Sequence, residues 1–386
     1  MSINKDKFFL QPLKNLTVVG FSFIIVWGYA QIALNISCLN PISEIIRNFS
    51  ITDKFYQIMP EKENRWLTIV DIASMSNRGD IARTIKKIEE CQPAVIGIDC
   101  IFQGRKNDTV ADNAIRGVAE SYQNIIFPYE LHNEQSDNIG YTESIHSFFT
   151  DEIPVHEGAV NMQRDNLYNG IKRTLKLGWL LNGSKVPSFL GEVMNHYMGE
   201  EKVLKEDNDV KINFSPTRFT VINSSDILQH RQEIEGRLVL LGSMIDEKDM
   251  HYTPVGKMSG LKLNAYAIQT LLENKQVKVP PLWLQAIISV LLVFLTNLLH
   301  LTYLKWTSGS RSPLVYHVMG SAYVLGLVTF TWIVLIMWVT FLCFCLYNVS
   351  IEIGWAIAAM AFLATSRGFY AACEDYYKLW KERKRI

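Results

Sequence analysis

The sequence lacks an excess of charge of either sign, because 38 lysine and arginine residues are matched by 38 aspartate and glutamate residues. Without a net field the chain has no long-range attraction for a polyanion, so we expect no nucleic acid partner. It also lacks the short motifs of common enzymes: a glycine-rich phosphate loop, G-x-S-x-G, C-x-x-C and H-E-x-x-H. We therefore predict a protein that is not an enzyme, has no catalytic residues and needs no cofactor.

Cysteine is scarce, with six residues in the chain. Three of them, Cys38, Cys91 and Cys100, lie between the apolar stretches described below, and an odd number cannot form a complete disulfide framework. A Cys91–Cys100 bond would join the end of a predicted helix to the end of a predicted strand. We favour free, partly buried thiols for this pair.

Charge is absent from several long apolar stretches. Leu16 to Leu34 carries no charge and is long enough, at about 1.5 Å per residue, to cross a hydrocarbon core of ~30 Å. We interpret it as an uncleaved anchor rather than a secretion or lipoprotein signal. The predicted transmembrane helices cover residues 15–35, 281–303, 314–346 and 350–371. The third stretch exceeds one perpendicular crossing, so it must tilt, protrude or split.

Basic residues between these stretches predict their orientation. Lysine precedes the first stretch, Lys305 and Arg311 separate the second from the third, and a basic tail follows the fourth. Cytoplasmic segments collect lysine and arginine, and four spans place all three groups on one side of the membrane. We therefore predict cytoplasmic segments at 1–14, 304–313 and 372–386. Residues 36–280 are then translocated across the membrane and lie outside the cytoplasm as one domain.

The pattern of this domain alternates between strands and helices. RWLTIVDIA (65–73), AVIGI (94–98), NIIFPYE (124–130) and RLVLLG (237–242) predict buried strands, since β-branched and apolar residues run through them. Helical periodicity separates the first three, and a helix beginning at Pro187 is predicted later. Alternating strands and helices predict an α/β domain with a central, mainly parallel sheet, beside four transmembrane α-helices, one before the domain and three after it.

Polar residues gather where these strands end. Asp71 and Asp99 directly follow strands, and DEKDMHYTP after RLVLLG supplies Asp249, His251 and Thr253. The carboxyl edge of an open α/β sheet is where ligands bind, so these five residues are our candidate ligand-binding residues. Carboxylates with an imidazole could also hold a divalent ion. The alternative is structural: strand-end aspartates accept loop amides, and the rest forms a solvated turn.

The C-terminal tail combines aromatic and basic residues. Its candidate partner-docking residues are Tyr376, Tyr377, Trp380, Lys381 and Arg383. A helix of this composition is typical of the interface with an anionic leaflet, and it is also suited to docking a partner protein.

Polar and small residues occur inside the predicted spans. We expect His300 and Arg367 to lie near span ends and to snorkel toward water. Gly354, Ala358, Ala361 and Thr365 are small residues at near-four spacing in the last span, which favours close helix packing, either within the anchor or between copies in a homo-oligomer.

Several segments in order resemble one family: RWLTIVDIA, QPAVIGIDCIF, GAVNMQRDNLYNGIKR, GRLVLLG, DMHYTP and LKLNAYAIQTLL. Together they resemble the second class of CHASE sensory domains, the extracellular sensors associated with bacterial cyclases and histidine kinases. The resemblance covers roughly residues 36–280, and one preceding and three following spans match it too. It implies a multi-pass protein of the bacterial inner membrane with its main domain periplasmic or extracellular and both termini cytoplasmic.

The chain departs from the family in places. Asn264-Ala265 stands where the family has His-Ala, and the segment after the first strand shortens to SMSNRGD. Typical members continue into an output domain after the last span, whereas this sequence ends at residue 386. We therefore expect a membrane-embedded sensor or accessory subunit that acts through a separate signalling or envelope protein. The alternative is a scaffold that does not switch.

Overall fold

The computed structural model describes residues 5–35, 50–75, 77–133, 141–162, 170–199 and 209–383. Backbone contacts divide the chain into two units, an α/β unit, Tyr56–Val277, and a helical unit, Met1–Phe55 with Lys278–Ile386. Residues 36–49, where the predicted domain begins, lie outside the described part, as do residues 163–169 of the GAVNMQRDNLYNGIKR segment.

The α/β unit alternates between strands and helices, as its sequence predicts. Its strands are β1 Lys62–Asp71, β2 Val95–Ile98, β3 Ile125–His132, β4 Glu143–Ile145, β5 His156–Ala159, β6 Thr174–Lys176, β7 Gly178–Leu181, β8 Ser184–Pro187, β9 Asp209–Lys211, β10 Thr217–Asn223, β11 Leu238–Gly242, β12 Met250–Thr253 and β13 Gly256–Ser259. Its helices are α3 Arg78–Glu90, α4 Thr109–Ser121, α5 Phe189–Met198, α6 Arg231–Ile234 and α7 Gly260–Leu272.

The central sheet is mostly parallel, as predicted. Its order is β10-β1-β11-β2-β3-β4, with β5 also paired to β3, and only β4 runs antiparallel. The late strand β11 lies between β1 and β2, pairing Val70 with Leu241 and Leu241 with Ile98. All five residues of β11 are buried, which suits a central strand covered on both faces.

Helices cover both faces of this sheet. On one face α3 and α4 bury Ile85, Ile88 and Ile115 against Ile96 and Leu241. On the other face α5 packs on β2, β3 and β5, and α7 packs on β1 and β11. The core therefore forms the three layers expected of an α/β unit.

One predicted helix start is wrong. The helix predicted from Pro187 begins at Phe189, because Pro187 ends strand β8 and the Ser188 hydroxyl caps the helix by accepting from the amide of Gly191 at 3.0 Å. Serine is the better N-cap, since its side chain satisfies an amide that the first turn leaves unpaired.

The helical unit contains α1 Lys5–Asn35, α8 Leu282–Ser308, α9 Ala322–Tyr347, α10 Gly354–Ala361 and α11 Leu363–Arg383, with the short helix α2 Ile51–Tyr56 at its boundary. Within the described residues, three helices are long and apolar enough to cross a membrane. The α10–α11 pair, bent by 55°, gives a fourth if both halves form one span.

The predicted third span, 314–346, is not one helix. Leu314–Met319 forms a π-helical turn, and a new helix begins at Ala322 after Ser321, whose hydroxyl accepts from the amide of Val324 at 3.4 Å. The basic residues on either side predicted a single span in this overlong stretch, and it holds one helix of span length, Ala322–Tyr347, preceded by the π-helical turn.

A polar stripe runs along the buried face of α8. Its members are Gln285, Ser289, Thr296, Asn297, His300 and Thr307. The prediction that His300 snorkels to water is wrong: it is 4% exposed, with Nε2 2.7 Å from Thr329 Oγ1 and Nδ1 3.2 Å from Arg367 Nη2. The bundle encloses this imidazole because its inward face is polar enough to bond it.

Candidate functional site

The carboxyl ends of β1, β2 and β11 meet at one edge of the sheet. Asp71 pairs with Gly242 in the register of the two strands, and the Ile72 amide donates to the Gly242 carbonyl at 3.1 Å. The Asp99 amide donates to the Leu241 carbonyl at 2.8 Å. Because β11 lies between β1 and β2, the loop that follows it passes between the two aspartates that follow the other strands.

Asp71 caps this edge. Its Oδ1 accepts from the amides of Ala73 at 3.0 Å and Met244 at 3.1 Å. One amide belongs to its own loop and the other to the loop after β11, so the carboxylate joins two loops. This matches the structural alternative for Asp71.

Asp249 is also bonded within the fold. Its Oδ2 accepts from the Gly260 amide at 2.8 Å, at the first residue of α7, and its Oδ1 lies 3.2 Å from His251 Nε2. A carboxylate is favoured there by the unpaired amides and the dipole of the helix. A Cβ on Gly260 would lie 2.5 Å from Asp249 Oδ2, so only glycine allows this approach.

Thr253 closes the hairpin of β12 and β13. Its hydroxyl donates to the Gly256 carbonyl at 2.6 Å, and the side chain is buried. The Thr253 hydroxyl is therefore engaged within the turn. A ligand could bind this hydroxyl only by displacing its hydrogen bond to Gly256.

Asp99 differs from the other candidates. Its half-buried side chain makes no hydrogen bond to any residue that the structure describes. The pKa of its carboxyl is raised to about 7, first by burial and then by the Asp249 carboxylate, while His251 acts in the opposite direction. A Cβ on Gly242 would lie 3.0 Å from the Asp99 Cβ, so this glycine makes room for the carboxyl group. The Asp99 carboxyl group therefore lies near the Asp249 carboxylate and the His251 imidazole, and its oxygens make no hydrogen bond to the described residues.

The loop after β2 is held by a buried ion pair that the sequence analysis missed. Arg78, the first residue of α3, places Nη1 2.6 Å from Asp112 Oδ1, and both side chains are almost fully buried. The guanidinium also donates to the carbonyls of Gln103 at 2.9 Å and Gly104 at 2.8 Å. Asp112 lies three residues before Ile115 on the apolar face of α4, and an acid at such a position was the available signal.

Opposing influences act on the pKa of Asp112. Burial raises it, but hydrogen bonds from the Lys106 amide and the Arg78 guanidinium outweigh burial and leave it below its ordinary value. The Lys106 amide donates to Asp112 Oδ2 at 2.6 Å. The pair therefore stays charged and fixes residues 103–106 beside the rim that carries Asp99.

Both cysteines of the α/β unit that the structure describes are free, as expected. Cys91 is buried and Cys100 half-buried. Burial raises the pKa of both thiols, and the neighbouring Asp99 raises that of Cys100 further. Neither thiol has the low pKa of a reactive cysteine.

Three histidines outside the rim each lie within 4 Å of a different carboxylate. His146 Nδ1 lies 2.8 Å from Glu157 Oε2, His156 Nδ1 lies 3.5 Å from Glu192, and His132 Nε2 lies 3.4 Å from Glu130. The Glu157 bond raises the pKa of His146. Among the described residues, no group of three or more His, Cys, Asp or Glu side chains is arranged to hold a metal ion.

The tail residues predicted for docking lie on the last turns of α11. Tyr376, Tyr377 and Trp380 are exposed, and the rings of Tyr377 and Trp380 stack at 6.1 Å. Lys381 and Arg383 are exposed at the end of the helix. The tail is thus helical as far as Arg383, as both of its interpretations require, and its role stays a prediction.

Comparison with known proteins gives one match. The family model described as "CHASE2 domain" matches residues 32–299, more than half of the chain. No curated protein and no solved structure matches the sequence.

Proposed function

The chain belongs to the CHASE2 domain family, and from this premise we propose that it is a sensor of the bacterial inner membrane that acts through a partner protein. The α/β unit receives the stimulus outside the cytoplasm, and the helical unit passes it on without catalysis by this chain. The observation that carries the proposal is the arrangement of a sensory-family unit between helices long enough to cross a membrane, Pro12–Ile32 before it and Leu282–Ser308 after it.

The carboxyl edge of the sheet is the proposed ligand site, with Asp99 at its centre. Asp71, Asp249 and Thr253 are bonded within the fold, so they shape the rim, whereas the Asp99 carboxyl group has unused bonding capacity. A ligand that donates hydrogen bonds and carries positive charge fits a carboxyl group beside Asp249. Such a ligand tilts the spans only if it binds one arrangement of the rim more tightly than the other.

Small amines are the appropriate probes for this site. Full-length protein in nanodiscs is screened for amines that raise its melting temperature, and each hit is tested on Asp99→Asn. Glu120→Gln is the matched control, because Glu120 is an exposed acid on α4, away from the rim. We expect a true ligand to stabilise the wild type and the control and to lose at least about tenfold in affinity on Asp99→Asn, since a charged hydrogen bond becomes neutral.

Transmission is measured separately. Hydrogen exchange in α8 and α11 of the full-length protein must change when the ligand binds. A ligand that stabilises the α/β unit and leaves exchange in both helices unchanged argues against sensing by this route.

A second candidate is a scaffold that does not switch. It is favoured by the hydrogen bonds that use Asp71, Asp249 and Thr253 within the fold itself. The scaffold predicts a partner at fixed stoichiometry whose association ignores every stimulus, which purification from native membranes and mass spectrometry would detect.

A further inference from the structure

Arg367 in α11 carries a positive charge inside a candidate span. Its Nη2 donates to His300 Nδ1 at 3.2 Å, and its Nη1 is enclosed without any hydrogen-bond partner. An imidazole that accepts at Nδ1 is neutral and carries its proton on Nε2, which here faces Thr329 Oγ1 at 2.7 Å. The cluster of Arg367, His300 and Thr329 therefore keeps one uncompensated positive charge.

The nearby sequence supplies no unpaired counter-charge, since Glu374, seven residues further along α11, pairs with Lys14 at 3.1 Å. The only acidic residue between 281 and 372 is Glu352, which precedes α10 on the far side of the bend from Arg367. Glu352 Oε1 already accepts from the hydroxyls of Ser50 at 2.5 Å and Ser350 at 3.4 Å. A charge among membrane spans is costly unless it is paired, so the anion must come from elsewhere.

Further unpaired polar atoms lie one turn away. Asn297 is 0% exposed, and both its Oδ1 and its Nδ2 are without partners. It shares the buried face of α8 with His300, three residues on. In the described part of the helical unit, the enclosed side-chain nitrogen and oxygen atoms that lack partners belong to Asn297 and Arg367. Unsatisfied polarity is therefore concentrated at this level of the bundle.

A face of α11 made of small residues, the small-residue face, adjoins Arg367. At 100° per residue, one side of α11 presents only small side chains between Ala364 and Ala372, and all of them are exposed: Ala364, Thr365, Gly368, Ala371 and Ala372. A Cβ placed on Gly368 would meet nothing within 4 Å, so the face is open. Arg367 lies at its border, between the small side chains and the buried side of the helix that carries Leu363 and Ser366. Faces of this kind let a second helix approach closely.

We propose that this small-residue face docks a transmembrane helix of a partner protein, and that an aspartate or glutamate on that helix pairs with Arg367. This inference rests on the proposed function, in which the chain acts through a partner protein, and it states the chemistry of the helix by which that partner would bind. A symmetric second copy fits poorly, because its helix would bring another Arg367 to the same level of the face, and its exposed acid on this side, Asp375, lies eight residues further along the helix. A lipid phosphate would account for the charge of Arg367 but not for the small-residue face beside it, which suits the close approach of a helix.

The test uses full-length protein in phosphatidylcholine nanodiscs and a designed transmembrane peptide of leucine and alanine. One peptide carries a single glutamate about two turns from its basic end, and its control carries glutamine there. Association is measured by energy transfer between labels. We expect the glutamate peptide to bind about tenfold more tightly, since polar pairs between membrane helices contribute on the order of 1–2 kcal/mol.

Two variants assign the preference to this surface. Arg367→Gln should abolish the difference between the peptides. Gly368→Leu should weaken both peptides by filling the face. Gly326→Leu is the matched control, because Gly326 is an exposed glycine on α9 with nothing within 4 Å of its added Cβ. This control should bind like the wild type.

Four results would overturn the proposal: equal binding of the two peptides, a preference that survives Arg367→Gln, self-association of labelled copies that excludes the peptide, or displacement of the peptide by phosphatidylglycerol in an Arg367-dependent manner. The third would assign the face to a homodimer and the fourth to a lipid. Because no ligand of the α/β unit is added, this test and the amine screen fail independently.

Discussion

At the scale of single residues, the chemistry of the rim depends on how each carboxylate is bonded. Asp71 and Asp249 accept two bonds each from the fold, and Asp99 accepts none from the described residues. Three acids that look alike in sequence therefore differ in what a substitution does to them. Only for Asp99 does removal of the charge leave the hydrogen bonds of the fold intact.

Asp99→Asn should stabilise the protein at neutral and alkaline pH. The pKa of Asp99 is about 7 in the folded protein and about 3.9 in an unfolded chain, so the folded state holds this proton more tightly. Stability that is present below about pH 4 is therefore lost as the pH rises through about 7. We expect the variant to gain about 1–3 kcal/mol over the wild type between pH 5 and pH 8.

Hydrogen exchange at the amides of β2 and β11 in the full-length protein measures this gain. Glu120→Gln should track the wild type at every pH, whereas Asp71→Ala should be less stable throughout because two amides lose their acceptor. An Asp99→Asn difference that does not vary with pH would contradict the assignment.

Arg78→Met should cost about 3–5 kcal/mol, because it leaves the Asp112 carboxylate buried without its partner. Asp112→Leu should cost a similar amount. The double variant should cost much less than the sum, since no buried charge then remains. Chemical unfolding of the full-length protein in detergent gives the three values, and additive losses would show that the two side chains act separately.

Much of the rim could be predicted from residue positions alone. Aspartates directly after apolar strands indicated the edge, and this edge does hold Asp71 and Asp99. Which of them is bonded could not be predicted, because the amide of Met244 that donates to Asp71 comes from the loop after β11, 173 residues away in sequence. Arg78 was missed for the same reason: its partner lies 34 residues away on another helix.

At the scale of elements, the approach of α5 to its neighbours depends on glycine. A Cβ on Gly191 would lie 2.2 Å from the Leu177 carbonyl oxygen, and one on Gly158 would lie 2.5 Å from the Phe189 Cα. The backbone of α5 therefore packs directly against the backbone of β5 and of the segment at Leu177, with no side chain between them. Side-chain periodicity predicted the helix but carries no information about such a contact.

Gly191→Ala should destabilise the packing of α5 by about 1–3 kcal/mol, because a carbonyl group must shift to admit the methyl group. Gly117→Ala is the matched control within another helix. Its Cβ would meet nothing within 4 Å, so it should stabilise α4 by about 0.5–1 kcal/mol. Hydrogen exchange in peptides from α4, α5 and β7 distinguishes these effects, and equal effects of the two changes would refute the packing argument.

The sequence predicted which segments form strands and which form helices. It predicted less well where each element begins and in which order the strands lie in the sheet. Pro187 looked like the start of a helix because proline suits a first turn, yet it ends β8. The apolar pattern of RLVLLG predicted a buried strand, whereas its place between β1 and β2 is decided by which strands can bury both its faces.

At the scale of the whole molecule, the proposed orientation can be tested with cysteines. Ser184→Cys, at the exposed first residue of β8, should react with a membrane-impermeant maleimide on intact bacterial cells. Cys373, exposed on α11, should react only after permeabilisation. Burial and a raised pKa make Cys91 and Cys100 slow to react, and the parent protein measures the remaining background. The reverse pattern would place the termini outside.

The central position of β11 also governs how this protein is made. A chain that emerges from a translocation channel presents β1, β2 and β3 long before β11, yet β1 and β2 do not pair with each other and both need β11. Contacts between residues so distant in sequence slow folding, since the intervening chain must be ordered first. Until β11 is available, β1 and β2 therefore expose backbone groups that are not yet paired. We expect biogenesis of this protein to be sensitive to the loss of chaperones that bind unfolded chains outside the cytoplasm.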